Sequence, residues 1–134
     1  KQIKKNAKAL EKIFATSNVK LMFGGTDNHM LLIDVTPLGI SGKEAQEVLD
    51  SVGITLNKNM IPDDPRSPMD PSGIRLGTPA LTTRGLKETD MEHIAETILD
   101  VLTHRTDNGV KDRARAMVKE MSARYPLYPD FSYL

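Results

Sequence analysis

One stretch of this chain limits its fold more than any other, namely residues 72–80, which read Ser-Gly-Ile-Arg-Leu-Gly-Thr-Pro-Ala. In an extended strand, neighbouring side chains point to opposite faces of the sheet. Ile74 and Leu76 are therefore predicted to face a core, while Arg75 faces the other way. A guanidinium held on rigid backbone suits two-point binding of a carboxylate. Taken alone, the pattern fits at least as well an arginine that is solvated or forms a weak surface ion pair.

The composition is that of a single globular domain. The chain has 134 residues, enough to bury a core, and its 39% hydrophobic and 27% charged residues are ordinary proportions for a soluble domain. Its formal net charge is zero, and its aromatic content is 4% without tryptophan, which disfavours a nucleic-acid surface built on base stacking. No apolar run approaches the roughly 20 residues that a membrane helix needs. We therefore expect neither nucleic acid nor a membrane as a partner.

Metal and phosphate sites are not indicated either. The chain has no cysteine, which excludes disulfides and thiolate metal sites. His29, His93 and His104 show no metal-ligand spacing, and the last two are expected at surface or helix-end positions. The glycine-rich segment 24–28 is not followed by a helix N-terminus, so it is read as a hairpin turn rather than a phosphate cradle.

Hydrophobic periodicity and capping residues predict eight elements in the order α-β-β-α-β-β-α-α. Ser41 with Glu44, and Thr89 with Glu92, have the spacing of capping boxes and predict two helix starts. This order indicates an α+β fold, with a small, mostly antiparallel sheet and helices packed on one face. The predicted helices cover residues 2–16, the segment between Ser41 and Gly53, the segment from Thr89 to about His104, and the segment between Asn108-Gly109 and Tyr125-Pro126. The predicted strands cover 19–23, 30–35, 54–56 and the Arg75 segment.

A polar loop over residues 57–71 leads directly into the Arg75 strand. It contains four prolines, each of which fixes φ and removes a hydrogen-bond donor, so the loop is predicted to be irregular but stiff. Long structured loops in compact domains are often functional. The loop and Arg75 are therefore expected at the same end of the sheet.

Three motifs occur in one order along the chain: Gly-Gly-Thr-Asp-Asn-His at 24–29, Gly-Ile-Thr-Leu-Asn-Lys-Asn at 53–59, and Ser-Gly-Ile-Arg-Leu-Gly-Thr-Pro-Ala-Leu-Thr-Thr-Arg-Gly at 72–85. Together they closely resemble the C-terminal domain of serine hydroxymethyltransferase, a pyridoxal-phosphate enzyme family with the aspartate aminotransferase fold (fold type I). The resemblance covers nearly the whole chain. It implies that residues 1–134 form the C-terminal small domain of a longer enzyme. The Schiff-base lysine and most cofactor contacts would then lie in an N-terminal part outside this chain.

The resemblance also implies roles for individual residues. Arg75 matches the family arginine that binds the α-carboxylate of serine or glycine. Asn59 matches an asparagine at the pterin ring of tetrahydrofolate, although a turn asparagine is an alternative. Ser67 matches a serine near the folate, although Ser-Pro is also an ordinary turn. Arg84 is expected to support the turn beyond Pro79, with a direct substrate contact as the less favoured role.

The sequence departs from the family pattern at Met69-Asp70-Pro71, where many members carry an aromatic and a β-branched residue. This departure leaves the shape of the folate pocket open. Lys58, beside Asn59, is either a contact for the anionic part of folate or a solvated lysine.

The implied enzyme of one-carbon metabolism interconverts serine plus tetrahydrofolate with glycine plus 5,10-methylenetetrahydrofolate, using pyridoxal phosphate. We expect it to be a cytoplasmic homodimer or tetramer, and we expect the isolated chain to be inactive. One alternative is the small domain of a related enzyme, such as a threonine aldolase or an aminotransferase. Another is a non-catalytic ligand-binding domain on the same scaffold. Asn57-Lys58-Asn59 and the proline-rich loop favour the folate enzyme over the first alternative. The first residue, which is Lys1 and not methionine, and the helical pattern already under way there argue against the second.

Overall fold

The structure, a computed structural model, describes residues 2–23, 30–77 and 85–124. Within these ranges the predicted α+β class and the predicted order of elements are confirmed. The elements are α1 (Gln2–Ala15), β1 (Lys20–Phe23), β2 (Met30–Asp34), a short 3-10 helix (Thr36–Leu38), α2 (Gly42–Ser51), β3 (Asn57–Asn59), β4 (Gly73–Gly77), α3 (Glu88–Thr103) and α4 (Asn108–Arg124).

The four strands form one sheet in the order β1-β2-β4-β3, and each of its pairings is antiparallel. β4 therefore lies inside the sheet, between β2 and β3. Arg75 is directly opposite Leu32 on one side and Asn57 on the other. The central arginine is thus carried by a strand that is hydrogen-bonded along both edges.

The core lies on one face of this sheet. Ile74 and Leu76 are fully buried, whereas Arg75 between them is exposed, as the alternation predicts. α1 and α2 pack against the strands, α3 packs across α1 and α2, and α4 packs against α3. Each helix contributes to a single apolar cluster with the strands, which includes Leu10, Phe14, Leu31, Ile33, Leu49, Ile74, Leu76, Ile94, Ile98, Val110 and Met121. Arg75 is on the opposite face, which we call the outer face.

α2 begins and ends as its sequence predicts. The hydroxyl of Ser41 accepts a hydrogen bond from the backbone N–H of Glu44 at 3.2 Å and caps the first turn. At the other end Gly53 adopts a φ of 91°, a left-handed conformation that glycine tolerates best. The backbone N–H of Ile54 then donates to the carbonyl of Leu49 at 2.9 Å, which closes a Schellman motif.

The first turn of α2 lies directly against the start of β4. A Cβ atom at Gly42 would be only 2.1 Å from the carbonyl oxygen of Gly73, so no other residue fits there without a shift of backbone. The N–H of Gly42 donates to the carbonyl of Pro71 at 2.7 Å, and the carbonyl of Ser72 accepts from Val35 at 3.1 Å. These contacts fix the backbone where the chain enters the Arg75 strand.

The prediction of a strand at 54–56 was wrong, because β3 consists of residues 57–59. Ile54 and Leu56 are buried, but the N–H of Ile54 already serves the end of α2. The pairing with β4 is instead made by the polar residues that follow, at the edge of the sheet. Ile54 makes an isolated β-bridge, but the continuous pairing with β4 belongs to the adjacent segment 57–59.

Two predicted helix starts also need correction. α3 has its N-cap at Lys87, not Thr89, because the carboxylate of Asp90 accepts a hydrogen bond from the backbone N–H of Lys87 at 2.9 Å. α4 begins at Asn108, whereas the sequence predicted that Asn108-Gly109 would separate the last two helices. Asp107 explains this difference, since its Oδ1 accepts from the backbone N–H of Gly109 at 2.9 Å and satisfies the first turn.

Some expectations fall on residues outside the described ranges. These are the turn at 24–28 with His29, the supporting residue Arg84, and the helix stop at Tyr125-Pro126.

Candidate functional site

The outer face of the sheet gathers the polar side chains of β3 and β4. Asn57 is directly opposite Arg75, and Asn59 is opposite Gly73. Directly paired residues point to the same side of a sheet, and side chains two residues further along lie about 7–8 Å away on the diagonal. Arg75 and the two asparagines therefore share one face within reach of a single small ligand.

Arg75 differs in its environment from most other arginines in the described part of the chain. Its side chain is exposed and makes no hydrogen bond or ion pair with any of the described residues. Three other arginines are paired with carboxylates close by in sequence, namely Arg66, Arg115 and Arg124. A guanidinium on a central strand, with all five donors unused by its described neighbours, is chemically suited to bind an external carboxylate.

Asn59 is half-buried, and one N–H of its carboxamide is used locally, donating to the carbonyl of Met60 at 2.8 Å. Its side-chain oxygen accepts no hydrogen bond from the described residues. The amide can therefore still accept one hydrogen bond and donate another. Asn57, directly across from Arg75, was not predicted as a site residue. Placing the strand at 57–59 would have revealed it through the alternation of residues 57 and 59 with Lys58.

The loop between β3 and β4 is organised by the carboxylate of Asp64. Its Oδ2 accepts from the backbone N–H groups of Ile61 at 3.2 Å and Ser72 at 2.9 Å. Its Oδ1 accepts from the backbone N–H of Arg66 at 2.9 Å and from the hydroxyl of Ser72 at 2.7 Å. Burial would raise the pKa of Asp64, but these hydrogen bonds outweigh it and lower the pKa to about 2.

A second set of contacts, which we call the Arg66–Asp70 clip, closes the middle of the same loop. The guanidinium of Arg66 donates to the carboxylate of Asp70 at 2.7 Å and to its backbone carbonyl at 3.0 Å. The nearby Ser41 hydroxyl, followed by Arg66, holds the pKa of Asp70 below its usual range. The Ser41 hydroxyl lies near this carboxylate without forming a well-aligned hydrogen bond, since Oδ1 of Asp70 is shielded from solvent and has no hydrogen-bond partner among the described residues. The loop is therefore tied together at two places.

Ser67 lies at the exposed tip of this clip. Its carbonyl accepts from the N–H of Asp70 at 3.1 Å, which makes Ser67 part of a turn. Its hydroxyl makes no hydrogen bond with the described residues, and no contact there joins it to Arg75 or Asn59. Met69 beside it is exposed over 75% of its surface. Of the predicted site residues, the sheet brings Arg75 and Asn59 together, and Ser67 lies on the loop that joins their strands.

The histidines lie apart from this face. His93 is exposed on α3, and His104 caps the end of that helix, with its Nε2 atom 3.9 Å from the carboxylate of Asp100. No group of three or more possible metal ligands is found among the described residues. No helix in those same ranges is both long and apolar enough to cross a membrane.

Comparison with known proteins agrees with the motifs around this face. A family model described as serine hydroxymethyltransferase matches residues 1–98, which include the sheet, the loop and most of α3. The chain belongs to the serine hydroxymethyltransferase family. Arg75, Asn59 and Ser67 all lie inside the matched range.

Individual family members are similar over almost the whole chain. Serine hydroxymethyltransferase of Francisella philomiragia is 47% identical over 128 residues, and that of Myxococcus xanthus is 48% identical over 128 residues. Each alignment covers 96% of this chain but 31% of the relative. The chain thus spans about a third of the length of these curated relatives.

Proposed function

We propose that this chain is the C-terminal domain of a serine hydroxymethyltransferase and that its outer face binds the amino acid and part of the folate. The full-length enzyme would interconvert serine plus tetrahydrofolate with glycine plus 5,10-methylenetetrahydrofolate. The observation that carries the proposal is the exposed Arg75 on a central strand, which no described residue pairs with, and the Asn57 and Asn59 beside it. Membership of the family supports it.

In this proposal Arg75 binds the α-carboxylate of serine or glycine through two parallel hydrogen bonds. Its backbone is fixed by strand pairing on both sides, so the bound carboxylate is held in one orientation. Orientation matters because it determines which bond at Cα is aligned for cleavage. Lysine offers a single point charge and does not reproduce this two-point contact.

Asn59 is proposed to contact the pterin ring, with its amide oxygen, which no described residue uses, as acceptor and its remaining N–H as donor. A heterocycle that carries both donors and acceptors matches such a group. Ser67 is proposed to lie at the rim of the folate site, and Arg84 to support the turn that follows β4. Met69, exposed on the same loop, gives the rim an apolar side chain.

Pyridoxal phosphate fits this scheme only as a group held largely by other parts of the protein. When bound, it supplies an electron sink for negative charge developing at Cα. The described residues of this chain supply the carboxylate-binding guanidinium but no cluster that suggests a cofactor phosphate site, and the resemblance assigns the Schiff-base lysine to the N-terminal part. We propose a cytoplasmic homodimer or tetramer for the full-length enzyme and no catalysis by the chain alone.

The deciding experiment replaces Arg75 by Ala and by Lys in the full-length protein. We expect kcat/KM for serine to fall by roughly 100-fold or more, since a charged, two-point contact is lost. Bound pyridoxal phosphate, measured by absorbance, should be unchanged. Arg113→Ala, an exposed arginine on α4, is the matched control and should keep full activity. Normal serine turnover by both Arg75 variants would rule out the carboxylate role.

A second substitution separates folate binding from amino-acid binding. Asn59→Ala should raise the Kd for tetrahydrofolate roughly 10-fold, the usual loss for one or two hydrogen bonds, while the Kd for glycine stays within twofold. Both constants are measurable by calorimetry on the full-length protein. Equal losses for the two ligands would indicate a folding defect and count against the folate role.

A further inference from the structure

The carboxylate of Asp64 connects the two strands that carry the candidate site. Ile61, which donates to it, follows Asn59 by two residues, and Ser72, which donates to it twice, precedes Arg75 by three. A single side chain therefore joins the end of the asparagine strand to the beginning of the arginine strand.

The anchor for this connection is Ser72. Only 2% of its surface is exposed, and its carbonyl accepts a hydrogen bond from Val35, the residue after β2. Ser72 is thus fixed to the sheet, and Asp64 links it to Ile61 on the opposite side of the loop.

The backbone next to Asp64 adopts a conformation that needs support. Asp63 has a φ of 55°, in the left-handed region, which is unfavourable for residues other than glycine, with aspartate and asparagine among the more tolerant. The four hydrogen bonds to Asp64 hold the loop in this form. They act beside the strand pairing of Asn59 with Gly73 and the contacts of Arg66 with Asp70, and they join Ile61 to Ser72 through one side chain.

We propose that Asp64 is a positioning residue that fixes Asn59 relative to Arg75, and hence the bound folate relative to the bound amino acid. This inference rests on the proposed function of the outer face. Asp64 would then connect the residue that binds the amino acid to the residue that binds the folate. Their separation matters because a carbon is transferred between these two ligands.

Asp64→Asn is the sharpest test, since it preserves size while disturbing the hydrogen bonds. Both carboxylate oxygens face backbone N–H donors, so the amide nitrogen meets a donor in either orientation. Asp63→Asn is the matched control, because it removes the same charge from the neighbouring exposed residue and asparagine tolerates its φ.

The assay measures KM for serine, KM for tetrahydrofolate and kcat on the full-length protein loaded with pyridoxal phosphate. We expect Asp64→Asn to raise both KM values roughly 10-fold and to lower kcat, since small displacements of binding groups are costly. Ser72→Ala, which removes only the 2.7 Å hydroxyl bond, should produce a smaller change of the same kind. Asp63→Asn should stay within twofold of the unmodified enzyme.

A lower melting temperature of Asp64→Asn with both KM values unchanged would overturn the proposal, because a purely structural clip changes the folded fraction and not the affinities. If the unmodified protein does not turn over serine, the proposed function itself fails. Hydrogen exchange at the backbone amides of Asn59 and Arg75 then decides the positioning role. Faster exchange at both in Asp64→Asn, but not in Asp63→Asn, supports it, and unchanged exchange overturns it.

Discussion

The two faces of β4 show how one strand serves the core and the candidate site at once. Ile74 and Leu76 point inward and are completely buried, while Arg75 between them points outward and is exposed. Burying one such aliphatic side chain contributes about 1.5–3 kcal/mol to folding. Arg75 contributes no described contact, yet it takes its fixed position from these neighbours. The rigidity of the arginine backbone is therefore a product of the opposite face.

The largest effect expected on either face comes from truncating the inner one. Leu76→Ala should lower the free energy of unfolding by about 2–5 kcal/mol, since it leaves a cavity in a fully packed cluster. Urea denaturation followed by circular dichroism measures this change. A loss below 1 kcal/mol would mean that the inner face is less tightly packed than its burial indicates.

The contact between α2 and the start of β4 should be nearly as sensitive to substitution. Gly42→Ala places a Cβ atom 2.1 Å from the carbonyl oxygen of Gly73, and such overpacking costs about 1–3 kcal/mol. Gly109→Ala is the matched control in the first turn of α4, where the nearest atom is a side-chain oxygen at 3.2 Å. The control should be neutral or slightly stabilising, because alanine favours helix more than glycine does. Equal destabilisation of both proteins would argue against a special constraint at Gly42.

Acid should loosen the loop between β3 and β4 before it affects the inner face of the sheet. The pKa of Asp64 is lowered from its ordinary value of 3.8 to about 2, so its contribution is complete above about pH 4 and is lost as the pH falls towards 2. With allowance for solvent screening, this contribution is about 1–2 kcal/mol. Unfolding free energies between pH 6 and pH 2 should therefore fall less steeply for Asp64→Asn than for Asp63→Asn. Parallel curves would contradict the assignment.

The smallest effect on stability is expected at Arg75 itself. Arg75→Ala should change the free energy of unfolding by less than about 0.5 kcal/mol, as is usual for an exposed residue that pairs with none of the described residues. The same denaturation experiment as for Leu76→Ala gives the comparison directly. A loss above 1 kcal/mol would show that Arg75 serves the fold rather than a ligand.

The sequence predicted the inner face well because buried apolar residues recur with the period of the helix or strand that carries them. Apolar spacing located the four α-helices of the described residues, and the alternation around Arg75 correctly assigned inward and outward residues. The start of α2 was predicted correctly because Ser41 is a strong N-cap in its own right. These features depend on near neighbours in the chain, which a single sequence records.

The outer face was less predictable because it depends on pairing between distant segments. Asn57-Lys58-Asn59 has the polarity of a loop and became a strand only through its pairing with β4. The role of Asp64 was missed for a similar reason, since Ser72 is eight residues away and the spacing matches no capping motif. The starts of α3 and α4 were misplaced because the carboxylates of Asp90 and Asp107, which the sequence analysis did not single out, accept the backbone N–H groups at these starts.

The order of strands has a consequence for how this domain folds. The pairing of β2 with β4 joins residues 39 to 47 positions apart, from Asp34 with Gly73 to Met30 with Gly77. Local elements such as the doubly capped α2 form early, whereas long-range pairings must first overcome the entropy of closing a large loop. On a ribosome, β2 has no central partner until β4 has emerged. A partly folded chain therefore has helices but no outer face, and a ligand that binds to the proposed site would report on completion of the sheet.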